Sequence, residues 1–145
     1  MNNINNIVNQ SKHPIFSEEY IQYCNNEIKK NSILILDDFL TKNCLTELIT
    51  EAHDLQDQAF YCSQNHTILL NKQDKLVDIN DPLNKEVVSD KGCVPHDLLN
   101  KDSKLNILYN LFEFKKFLKG VLNLKKLYAY KDNLSSINYN YYQKS

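Results

Sequence analysis

The sequence predicts an α+β fold with amino-terminal helices packed on an antiparallel or mixed sheet. Two segments with helical apolar spacing lie ahead of most of the strand-like runs. Aromatic and β-branched residues crowd the carboxy-terminal end, where five of the nine tyrosines fall between positions 128 and 142. No regular strand-helix-strand alternation appears, which argues against a doubly wound parallel sheet.

The elements follow in order. Residues 1–12 are rich in asparagine and read as a mobile tail. Ser17 can cap a helix running to about Lys30, with Tyr20, Ile21, Cys24 and Ile28 on one face. Ser32 to Leu36 is a short apolar run that reads as a buried strand, and Asp37 to Leu40 as a turn. Thr41 is a good N-cap for a helix from Lys42 to about Gln56. Leu40 and Leu45 supply a hydrophobic staple there, and Cys44, Leu45, Leu48, Ile49, Ala52 and Leu55 the apolar face. Ala59 to Ser63 and Thr67 to Leu70 look like strands around a Gln64-Asn65 turn, with another turn over Asn71 to Asp74. From Asp81 to Asn100 the chain reads as a surface connection with one short helix after Pro82. Ser103 can cap a helix carrying Leu105, Leu108, Leu111, Phe112, Phe114, Phe117 and Leu118, which Gly120 ends or kinks. Leu127 to Lys131 and Ser135 to Gln143 read as a hairpin turning at Asp132-Asn133.

Composition removes several function classes. The 145 residues carry 17 basic against 18 acidic side chains, a net charge of -1, which lacks the cationic excess needed to neutralise a nucleic acid backbone. Every basic residue is lysine, so no guanidinium fork can clamp a carboxylate or phosphate. With two glycines there is no Gly-rich phosphate loop. No run approaches the roughly 18 apolar residues of a membrane span, and the amino terminus lacks a secretory pattern, so a cytoplasmic chain is expected. The cysteines Cys24, Cys44, Cys62 and Cys93 form no C-x-x-C pair, and the histidines His13, His53, His66 and His96 no H-x-D or H-x-x-x-H pair. Cys93, His96 and Asp97 lie close in sequence and could serve as a nucleophile and base set, although Val94-Pro95 makes a loop the simpler account. Lys115, Lys116, Lys119, Lys125 and Lys126 read as a solvated face.

The run Ile33 to Leu40 followed by a Thr-capped amphipathic helix resembles the opening of Fe(II)/2-oxoglutarate-dependent dioxygenases. Tyr61-Cys62 to Leu70, Val88 to Gly92, and Leu127 to Tyr130 leading to Ile137 to Tyr142 continue the resemblance in order. The last segment is similar to the N-x-N-x-Y strand that precedes the His-x-Asp metal motif. Together these cover roughly residues 30–145, and subgroups with this lead-in include enzymes similar to amino-acid hydroxylases and radical halogenases.

The resemblance implies that residues 13–145 form part of a jelly-roll (double-stranded β-helix) domain, with an incomplete sheet behind the amino-terminal helices. In that family two histidines and a carboxylate hold iron, and 2-oxoglutarate is oxidatively decarboxylated to drive oxidation of a small molecule. The positions that reach 2-oxoglutarate fall on Asn140 and Tyr142, with Ser145 where glycine is usual. The chain contains no H-x-D, so no catalytic or metal residue is assigned. Fe(II) and 2-oxoglutarate belong to the complete domain, and this chain alone is expected to be an inactive amino-terminal portion. Adjacent His96 and Asp97 cannot substitute, because neighbours on an extended strand face opposite ways. Strand alternation puts Ile137, Tyr139 and Tyr141 on one face and Asn138, Asn140 and Tyr142 on the other. The partner expected is a complementing chain or a second copy meeting the 127–143 hairpin. The alternative is a non-catalytic binding or assembly module that pairs through that hairpin.

Overall fold

The computed structural model of the chain describes residues 4–142. Helices α1 (Glu18–Asn31) and α2 (Lys42–Leu55) come first, then strands β1 (Phe60–His66) and β2 (Val87–Val94). Helices α3 (Lys104–Asn110) and α4 (Phe112–Val121) and the short strand β3 (Tyr139–Tyr141) complete the order. The sheet is antiparallel with strand order β1-β2-β3. The fold class is thus α+β. The described residues form three strands in a single sheet.

Three caps sit where the sequence puts them. Ser17, Thr41 and Ser103 each accept a hydrogen bond at 3.2 Å from an amide of the first helical turn, donated by Tyr20, Cys44 and Leu105 respectively. α1 ends on Ser32, whose left-handed φ of 58° lets its N–H reach the Ile28 carbonyl at 2.8 Å. Gly120 neither ends nor kinks α4. It lies in the last turn because a Cβ there would come within 2.7 Å of Ile21 Cγ2, so it allows α1 and α4 to approach closely. The stop comes at Asn123, in the left-handed region at 51°, with Asn123 N–H donating to Gly120 O and Leu124 N–H to Lys119 O, both at 3.0 Å.

The expected mobile tail is corrected over residues 4–12. Ile4, Ile7 and Val8 are spaced i, i+3, i+4 and are buried in the core with Ile15, Cys24, Cys44, Phe117 and Val121. Val8 bridges Leu40 in antiparallel fashion. Asn9 N–H donates to Phe39 O at 2.8 Å and Thr41 N–H to Ile7 O at 2.9 Å. Abundant asparagine masks the apolar spacing when composition alone is read. His13 is also buried; its Nε2 donates to the Asp37 carbonyl at 2.8 Å, so Nδ1 is the acceptor for the Tyr20 hydroxyl at 2.6 Å.

Residues 32–36 do not form the buried strand expected of them. Leu34 and Leu36 pack on the core, while Ile33 and Ile35 point out, 61% and 71% exposed. α3 and α4 replace one predicted helix. Leu111 between them is extended (φ -63°, ψ 129°), and no glycine, proline or capping side chain marks the break.

The sheet carries the largest corrections. Gln64 and Asn65 do not turn; β1 runs straight through them to His66. Its partner β2 comes from the segment expected to be a surface connection, with Phe60 opposite Cys93 and His66 opposite Val87. Thr67 to Leu70 belongs instead to the long link between the strands. That link is organised by buried Asn84, whose side-chain amide donates to the carbonyls of Asp74, Val77 and Asp78 and whose Oδ1 accepts from Asp74 N–H at 2.8 Å. The expected 127–143 hairpin does not form, since residues 127–131 join no ladder and β3 pairs with β2. Residues 143–145 lie outside the described residues, and with them the position of Ser145.

Candidate functional site

Strand β3 is held from one side. The Tyr139 hydroxyl donates to Glu51 Oε2 at 2.7 Å, and the same carboxylate oxygen accepts from Ser103 Oγ at 2.7 Å. Two residues along, the Tyr141 hydroxyl donates to the Ala52 carbonyl at 2.5 Å. Both tyrosines therefore face α2. Burial, with the hydrogen bond to the Glu51 carboxylate adding to it, pushes the Tyr139 phenol well above its ordinary range. Burial pushes Tyr141 up as well.

The alternation that turns Tyr139 and Tyr141 toward α2 turns Asn140 the other way, and Tyr142 follows the last residue of the strand. Both are exposed, and Asn140 Nδ2 donates to Asn138 Oδ1 at 2.7 Å. Register adds neighbours that sequence alone does not give. Cys93 stands opposite Asn140, and Lys91, two residues before Cys93, points to the same open face. The open face of the β2–β3 ladder therefore carries Asn140, Cys93 and Lys91. Lys91 could not be found from sequence, because β2 was not recognisable as a strand.

No family model, curated protein or solved structure matches this chain. The site must therefore be judged on its own residues.

Among the described residues no group of three or more His, Cys, Asp or Glu side chains is placed to hold a metal ion. Cys62 and Cys93 are half-buried free thiols on the open face, while Cys24 and Cys44 are buried in the core. His96 is already used by the fold: Nδ1 lies 2.6 Å from Ser136 Oγ and Nε2 3.3 Å from Asn106 Oδ1. Neither ring nitrogen is bonded to Cys93, so the Cys93, His96 and Asp97 set is not assembled.

Asp132 is a turn-former. It accepts from Leu134 N–H at 2.7 Å and from Ser135 Oγ at 2.9 Å, and the Leu134 bond leads the effects that hold its carboxyl below the ordinary range. A cleft of about 620 Å³ lies on the helix side, lined by Glu47, Glu51 and Asp54 of α2 with Leu55, Leu98 and Leu99. Its carboxylates make it unsuited to an anionic cosubstrate. None of the described helices is long and apolar enough to cross a membrane.

Proposed function

We propose that this chain is the amino-terminal portion of a 2-oxoglutarate/Fe(II)-dependent oxygenase-like protein, with its sheet forming part of a jelly roll. In this reading Asn140 and Tyr142 bind a carboxylate of 2-oxoglutarate, and Lys91 supplies the positive charge beside them. One observation supports the reading: β3 is anchored through Tyr139 and Tyr141 to α2, which leaves Asn140 on the open face with exposed Tyr142 after it. The chain's own work is binding and orientation. Iron ligands and a second cation for the distal carboxylate come from a complementing polypeptide, and the completed domain oxidises a small molecule such as an amino acid.

The test is an anaerobic titration with Fe(II) and 2-oxoglutarate, watched for the visible charge-transfer band of a ternary complex. The chain alone is expected to give no band. Co-expression with a segment carrying H-x-D, a distal histidine and a basic residue is expected to give one, weakened by Asn140→Ala or Tyr142→Phe. A band from the isolated chain would overturn the division of labour proposed here.

A second reading has its own observation. β3 is a three-residue edge strand among the described strands, so its far side is open to strand addition. A non-catalytic assembly module would pair there without any metal-dependent band.

A further inference from the structure

We infer that residues 32–36 form a self-complementary edge through which two copies of the chain pair as antiparallel strands. Among the described residues, the backbones of residues 33–36 make no hydrogen bond. Exposure alternates along this segment with the period of a strand. Leu34 and Leu36 turn to the core, and Ile33 and Ile35, 61% and 71% exposed, turn to solvent. The segment has the side-chain order of a sheet edge without a ladder partner, and it is rich in residues that favour strands.

Charge identifies the occupant as a second copy. Lys29 and Lys30 precede the segment, and Asp37 and Asp38 follow it. An antiparallel copy brings the lysine end of one segment to the aspartate end of the other, at both ends at once. A parallel copy would set like charges side by side. A net charge of -1 per chain leaves no strong repulsion between copies.

Residues directly opposite in an antiparallel pair point to the same side, so the register that covers all the exposed isoleucines sets Ile33 opposite Ile35 of the copy and Ile35 opposite Ile33. Leu34 then faces Leu34 across the twofold axis, and four isoleucines cover one another on the outer surface. A groove of about 440 Å³ runs beside the segment, lined among others by Tyr23, Glu27 and Asn31 of α1, and leaves room for the incoming strand. Lys12 and Asp38 pair at 2.8 Å at its exposed end, so Asp38 exchanges or shares this partner when the copy's lysines arrive.

Sedimentation of the full chain over a wide concentration range tests the inference. The parent chain is expected to show a monomer-dimer equilibrium. Ile33→Lys with Ile35→Lys places charge at exposed positions only and is expected to weaken association roughly tenfold or more. Two further variants probe the register without touching the apolar residues. Lys29→Glu with Lys30→Glu, and Asp37→Lys with Asp38→Lys, should each weaken self-association, and mixing the two should restore a dimer. Circular dichroism checks that each variant is folded, and if the isoleucine variant is not, the charge pair decides. A parent chain that stays monomeric, or a mixture that fails to recover, overturns the inference.

Discussion

Glu51 is the residue on which the sheet and the helices meet. A single oxygen accepts from Ser103 at the start of α3 and from Tyr139 in β3, so one carboxylate ties three separate parts of the chain. Removing one donor weakens the tie: Tyr139→Phe is expected to lower stability by about 0.5–3 kcal/mol, read from urea midpoints. Tyr139 and Tyr20 also predict a pH response. Burial is the leading cause for both and holds each phenol above its ordinary value, near pH 10; hydrogen bonds to Glu51 and to Cys24 add to it. The folded chain therefore binds these protons more tightly than the unfolded chain. Their contribution is present below pH ~10 and is lost as pH rises further. Thermal midpoints should fall on the alkaline side, with a shallower slope in Tyr139→Phe.

At the scale of elements, helix starts were legible, β1 and β3 only in part, and β2 not at all. Ser17, Thr41 and Ser103 announce helix starts because a cap needs only a local oxygen and a nearby amide, both written within four residues. β2 had no such local signature. Gly92 looks like a loop marker, yet it sits in the strand because the Tyr61 ring lies over it; a Cβ at Gly92 would stand 2.6 Å from Tyr61 Cε1. That reason is visible only when the opposite strand is known. Gly92→Ala is therefore expected to destabilise by about 1–3 kcal/mol. In a Tyr61→Ala background most of the penalty should vanish, and a double-mutant cycle by chemical denaturation measures the coupling. The same limit applies to the candidate site. Alternation gives the face of Asn140 directly, whereas Lys91 comes to that face only through the β2–β3 register.

For the whole molecule, the amino-terminal residues matter more than their composition suggests. Ile4, Ile7 and Val8 fill the core beside Phe117 and Val121, and hydrogen bonds join residues 6–9 to 39–41. Full burial of such a side chain contributes about 1.5–3 kcal/mol, which is a large part of a typical domain's stability. Deleting residues 1–9 should abolish cooperative unfolding, read by calorimetry. A deletion that left the transition intact would show that the core does not depend on them. The helical half, including this segment, forms one apolar cluster, while the β1–β2 ribbon leaves Phe60, Val87 and Val88 exposed. Periodicity read the helices of that cluster, whereas the β1–β2 pairing depends on residues distant in sequence.

The link between those strands hangs on the chemistry of one amide. Asn84 faces three carbonyls with its amide nitrogen, an arrangement only a donor can satisfy. A carboxylate there, as in Asn84→Asp, would set charge against those same oxygens and turn each attraction into repulsion, so the group by which an amide differs from an acid decides whether this stretch holds its shape.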